Sequence, residues 1–125
     1  MTLSVSEAAA EVGLTAHTLR WYEQQGLVDP VLRDSAGRRR YTKQDIDWLL
    51  LLTKLRRTGM PVRDMLRYVE LAREGEHTIA DRLRIFEQHR DRVLARIADL
   101  RRDLELINHK ISVYDETVRS PLPSA

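Results

Sequence analysis

The sequence predicts a mainly α fold in which short helices and a small β-ribbon precede one long C-terminal helix. Two patterns carry that prediction. The first is punctuation: hydroxyl-bearing caps stand before apolar runs and glycines stand after them, repeatedly, up to Gly75. The second is a set of apolar residues from Ile79 to Val118 that recurs at alternating spacings of four and three. A composition that is 42% hydrophobic and 32% charged, with 6% aromatic residues, suits such a helix-rich chain with much surface.

Ser6 precedes the helix-forming run Glu7 to Val12, which Gly13 closes, and Ser4 with Glu7 also has the spacing of a reciprocal cap. A short first helix follows from either serine. Thr15 caps a second helix, Ala16 to Gln25, stopped by Gly26. Gly13-Leu14 is then a tight turn between two short helices, the layout of a helix-turn-helix. Beyond Leu27, Asp29-Pro30 blocks further helix. Val31 to Arg33 and Arg38 to Tyr41 read as two strands around an Asp34 to Gly37 turn.

The net charge of the chain is only +2, yet positions 33–43 hold Arg33, Arg38, Arg39, Arg40 and Lys43 against a single acid, Asp34. A basic ribbon that follows a helix-turn-helix is a wing. Thr42 caps a third helix, which runs to Arg57 before Gly59 and carries the apolar run Trp48 to Leu52, to be buried against several neighbours. Pro61 stands at or near the first position of a fourth helix that Gly75 ends.

Thr78 is the expected N-cap of the long helix. The positions that follow at coiled-coil spacing are Ile79, Leu83, Phe86, Arg90, Val93, Ile97, Leu100, Leu104, Ile107, Ile111, Tyr114 and Val118, with Arg90 the one charged member. At ~1.5 Å per residue this stretch reaches roughly 60 Å, too long for four short helices to cover. A second copy of the chain is the expected partner, so Leu83, Phe86, Val93, Ile97, Leu100, Leu104, Ile107 and Ile111 are expected dimer contacts. The predicted organisation is a winged helix-turn-helix domain over 1–75, a dimerisation helix over 76–118 and a disordered tail over 119–125.

Several functions find no residues to carry them. There is no Cys, which excludes disulfides and thiolate chemistry, and His17, His77, His89 and His109 lack metal-ligand spacing. No phosphate-binding glycine loop, nucleophile elbow or paired-carboxylate motif is present. The expectation is therefore a non-enzyme with no cofactor and no metal. No apolar run approaches the ~20 residues of a membrane span, so a cytoplasmic protein without membrane contact is expected.

A helix-turn-helix places its second helix in the major groove of double-stranded DNA. His17, Thr18 and Arg20 lie near the start of that helix, and the planar fork of Arg20 suits a guanine edge or a phosphate. Leu19 and either Trp21 or Tyr22 should face the core. In an extended wing Arg38 and Arg40 share one face and Arg39 takes the other.

The succession Val5-Ser6-Glu7-Ala8-Ala9, Gly13-Leu14-Thr15, Leu19-Arg20-Trp21-Tyr22-Glu23, Gly26-Leu27, Pro30, Arg33, Gly37, Arg39, Tyr41, Asp45-Ile46 and Arg56 to Gly59 resembles the MerR family of bacterial transcription regulators. The similarity continues to His109-Lys110-Ile111 and Tyr114. It implies a homodimer joined by an antiparallel coiled coil, bound to a pseudo-palindromic promoter operator. Such dimers act on RNA polymerase indirectly, by distorting the promoter. The resemblance places His17, Thr18, Arg20, Trp21 and Tyr22 on recognition-helix contacts, and Arg33, Arg38, Arg39 and Tyr41 on wing contacts.

Without Cys the chain departs from the family's metal and redox sensors. A small effector, of unknown identity, would sit where the long helix meets helix four of the other subunit, near Tyr68, Phe86, His109 and Tyr114. Plain packing is the alternative role for those aromatics. Two other readings stay open: a ligand-independent DNA architectural or recombination accessory protein, and a coiled-coil module whose N-terminal domain docks on protein.

Overall fold

The computed structural model describes residues 1–120; the expected tail lies almost wholly outside the described residues. The elements are α1 (Val5–Val12), α2 (Ala16–Gln24), β1 (Leu32–Arg33), β2 (Arg39–Arg40), α3 (Lys43–Arg57), α4 (Val62–Glu74), a 3₁₀ turn (Glu76–Thr78) and α5 (Ile79–Arg119).

Local chemistry accounts for most of these boundaries. Of the two serines available to α1, Ser4 is the cap: its hydroxyl accepts from the Glu7 N–H while the Glu7 carboxylate accepts from the Ser4 N–H. Thr42 and Asp45 repeat the arrangement at the start of α3. Gly13 closes α1 at φ 74°, a conformation that costs a residue with a Cβ about 1 kcal/mol or more. Pro61 precedes α4 rather than opening it, and its carbonyl accepts from the Asp64 and Met65 N–H groups.

The wing is shorter than the sequence suggests. β1 and β2 pair antiparallel through Leu32 with Arg40 and Arg33 with Arg39 only. Tyr41, the next residue of that strand, exchanges two 2.8 Å backbone hydrogen bonds with Leu3, so the segment before α1 pairs with the end of the ribbon. At the turn, one Asp34 carboxylate oxygen accepts from the N–H groups of Ala36 and Arg38.

Thr78 does precede α5, but not as a side-chain cap. Its buried hydroxyl donates toward the carbonyls of Leu71 and Gly75 and accepts from Arg82, which ties the 3₁₀ turn to the end of α4.

The chain divides into two units, Met1–Phe86 and Glu87 onward, so the first compact unit extends past the expected boundary at residue 75. The physical reason is that Ile85 and Phe86 pack on the same core as α1 to α4. That core is built from Leu19, Leu27, Leu49, Leu52, Met60 and Met65, each at most 2% exposed. Within the apolar run of α3, Leu49 and Leu52 are buried, while Trp48, Leu50 and Leu51 are half-buried. Trp48 donates its indole N–H to the Leu27 carbonyl and stacks on Tyr68, which meets Phe86 edge-on with ring centroids 4.9 Å apart.

In the second unit the helix continues to Arg119, and its seam residues Ile97, Leu100, Leu104, Ile107 and Ile111 are 38% to 60% exposed in the single chain. Leu94, Leu106 and Val113 are also exposed and lie off the seam. Arg102–Asp99 and Arg119–Asp115 pairs at helical spacing line this unit, and Arg90 pairs with its neighbour Asp91.

Candidate nucleic-acid interface

The turn between α1 and α2 is set by Gly13 and by the Leu14 N–H, which donates to Ala9 at 2.9 Å. Thr15 then caps α2, accepting from the Thr18 N–H and sharing a 2.9 Å hydroxyl–hydroxyl hydrogen bond with Thr18. These bonds orient α2 so that Leu19 and Tyr22 enter the core while His17 and Arg20 stand exposed. Of the two aromatics, Tyr22 is therefore the one that faces inward. Trp21 is half-buried, its ring tilted against Tyr22 at 5.6 Å.

Two of the aromatics expected at DNA, Tyr22 and Tyr41, have their rings in the core. Tyr22 is 3% exposed and Tyr41 is 2% exposed, so both rings are core side chains. Burial raises both phenols above their ordinary pKa, in Tyr22 against the opposing pull of Arg56 and a hydrogen bond to Thr53. Thr18 is half-buried and its hydroxyl is engaged at the cap.

The wing brings its arginines together. An open cavity of about 320 Å³ is lined by Ser4, Val5, Asp34 and Gly37 with Arg33, Arg38, Arg39 and Arg40. Each guanidinium is held differently. Arg33 donates to the Gly37 carbonyl across the turn, and Arg38 is exposed beside Asp34. Arg39 donates through Nε to Glu23 Oε2 of α2 at 2.7 Å, and Arg40 donates to the hydroxyl and carbonyl of Thr2. The two strand arginines thus reach opposite neighbours, as alternation along a strand requires.

The sequence pattern did not point to Glu23, Thr2 or Leu3 as braces of the wing, because these partners lie far away along the chain. The only signal was a carboxylate within the Arg20-Trp21-Tyr22-Glu23 motif.

The aromatics considered for an effector divide between the units. Tyr68 is 7% exposed, stacked on Trp48 and edge-on to Phe86, so Tyr68 and Phe86 touch one another within the first unit. A shallow cavity of about 250 Å³ lies beside them, lined by Ile79, Arg82 and Leu83. His109 and Tyr114 are exposed on the second unit. Among the described residues, no group of three or more His, Cys, Asp or Glu could hold a metal ion. No helix among them is long and apolar enough to cross a membrane.

Against this geometry, two family models match: one described as MerR HTH family regulatory protein over residues 3–71, and one described as MerR, DNA binding over residues 46–109. The chain belongs to the MerR family. An uncharacterized HTH-type transcriptional regulator of Haemophilus influenzae is 40% identical over 93% of this chain and 86% of its own length. A crystal structure of HiNmlR, a MerR family regulator lacking the sensor domain and bound to promoter DNA, is 39% identical with a TM-score of 0.86, covering 96% of this chain and 95% of that one. A putative MerR family transcriptional regulator from Listeria monocytogenes gives 33% identity and a TM-score of 0.85, over 93% of this chain and 88% of that one. This MerR protein is a DNA-binding transcriptional regulator built on a helix-turn-helix, a two-strand wing and a long C-terminal helix.

Proposed function

We propose that this MerR regulator works in the cytoplasm as a homodimer that grips a pseudo-palindromic promoter operator and acts on RNA polymerase indirectly, by distorting the duplex between its half-sites. One observation carries the dimer: Ile97, Leu100, Leu104, Ile107 and Ile111 stand open along one helix at the spacing that a second helix would cover. Two copies of the basic face then address two half-sites, and the untouched DNA between them contributes through its deformability. His17 and Arg20 of α2, with Arg33 and Arg38 of the wing, are the exposed groups proposed to meet bases and phosphates. Trp21 sits at their edge and Thr18 holds the helix start. Tyr22, Tyr41 and the remaining wing arginines act from behind this surface.

Support for the DNA half comes from the similarity to HiNmlR, whose structure is bound to promoter DNA, across 95% of that chain. For the packed pair Tyr68 and Phe86 we propose a structural role, which leaves any effector unassigned.

Footprinting of the purified protein on promoters of its neighbouring genes, combined with sedimentation, tests the proposal. The expected result is a dimer at micromolar concentration that protects two mirrored half-sites on one DNA face. A monomer at that concentration, or a protein that protects no mirrored sequence, overturns it.

A further inference from the structure

A ribbon with two residue pairs is marginal in water by itself, so the position of the wing depends on what holds it from outside. Leu3 holds its base through Tyr41, and Thr2 holds Arg40. Neither bond refers to α2. The ion pair between Arg39 Nε and Glu23 Oε2 does: it is 2.7 Å long, its side chains are 27% and 18% exposed, and it joins residues sixteen apart in sequence. Arg20 stands exposed one turn before Glu23 on the same helix, and Arg38 stands exposed one residue before Arg39 on the same strand. This partly buried bond therefore ties the strand that carries one exposed cation to the helix that carries the other.

We propose that Glu23 is a positioning residue for DNA recognition: through Arg39 it locks the wing to the recognition helix and thereby sets how sharply the protein separates its operator from other DNA. The inference rests on the DNA-binding reading above. A carboxylate beside wing cations opposes binding to any polyanion, because it cancels one positive charge. Its contribution is to geometry, since specific contacts need Arg20 and Arg38 at a set spacing whereas non-specific attraction does not. Glu23 thus trades general affinity for discrimination.

The test compares binding of the full chain to the promoter duplex that it protects and to a shuffled duplex of equal length and composition, each over a series of salt concentrations. The variants are Glu23→Gln, Glu23→Ala, Arg39→Glu and the swap Glu23→Arg with Arg39→Glu, all checked for an unchanged melting temperature. Glu23→Ala is expected to lower the ratio of the two affinities about tenfold, the scale of one charge-assisted hydrogen bond. Binding to the shuffled duplex should hold or tighten and become more salt-dependent, as Arg39 gains freedom to meet phosphate. Glu23→Gln, which keeps an acceptor but loses the charge, should fall between wild type and Glu23→Ala and serves as the reading if the alanine variant is unstable.

The swap should recover discrimination that Arg39→Glu alone loses. An unchanged ratio in Glu23→Gln and Glu23→Ala, equal weakening on both duplexes, or a swap no better than Arg39→Glu overturns the proposal. A wild-type protein that discriminates while its Glu23 variants match it defeats the latch alone; a wild-type protein that binds both duplexes equally defeats the DNA-binding reading beneath it.

Discussion

In the unit Met1–Phe86, Leu49, Leu52, Met60 and Met65 are at most 1% exposed, whereas in the unit beginning at Glu87, Leu100, Leu104, Ile107 and Ile111 stand more than half open. The residue types are nearly the same, and Leu49 with Leu52 shares the helical spacing of the second set. What differs is the number of neighbours that the chain itself supplies. Around α3 stand α1 and α4, so its buried face meets other helices of the same chain. Among the described residues beyond Glu87 there is one helix and no second layer, so its apolar side chains stay open in the single chain. The first unit thus buries its apolar side chains internally, and the second leaves open the stripe on which the proposed dimer rests.

The sharpest way to break that contrast is to charge the open seam. Ile97→Asp with Leu104→Asp should convert the dimer to monomer in sedimentation at micromolar concentration. Operator affinity should then fall by on the order of 10² or more, because the two half-sites lose their linkage. The first unit should keep its fold, read as retained near-ultraviolet dichroism. Retained dimers would return the seam to a solvated helix.

Next in size is the closed core. Leu52 is fully buried, and Leu52→Ala should cost about 2 to 5 kcal/mol in urea unfolding. The same substitution at Leu106, exposed and off the seam, should leave the denaturation midpoint nearly in place. Equal costs at the two sites would contradict the division.

The basic face is tested by Arg20→Ala, expected to weaken operator binding by about 1 to 3 kcal/mol in a titration at fixed salt while leaving dimerisation alone. A change below about 0.3 kcal/mol would remove Arg20 from the interface.

The smallest effect belongs to acid. Hydrogen bonds, first from the Arg38 N–H and also from the Ala36 N–H, outweigh desolvation and hold the Asp34 carboxyl below its usual range; its bond to Ser4 does the same for Glu7. A depressed folded pKa contributes stability that is present above the unfolded value and lost as pH falls through the folded one. Asp34→Asn should therefore flatten part of the loss of melting temperature below about pH 4, with Glu7→Gln flattening a separate part. Parallel wild-type and variant curves would show that neither turn is acid-sensitive.

Much of this molecule is readable from neighbours along the chain. The caps at Ser4, Thr15 and Thr42, the stop at Gly13, the inward Leu19 and the seam from Ile79 follow from bonds and spacings within a few residues, where geometry is short-range. The wing shows where that reading ends. Its strands hold two pairs and Tyr41 beyond them pairs with Leu3, and no local pattern announces a partner thirty-eight positions away. Tyr22 and Tyr41 resemble surface contacts in the motif, yet both rings fill the core.

Sequence alone determined the helix-turn-helix, the basic ribbon and the apolar stripe, because each depends on periodicity and on hydrogen bonds that close locally. Only the tertiary structure decided which arginine faces outward and which is held by Glu23 or Thr2, that the first unit runs on to Phe86, and that Tyr68 and Phe86 pack on one another. Those outcomes depend on which distant groups arrive at the same place, and a linear order of residues leaves that open until the core has closed.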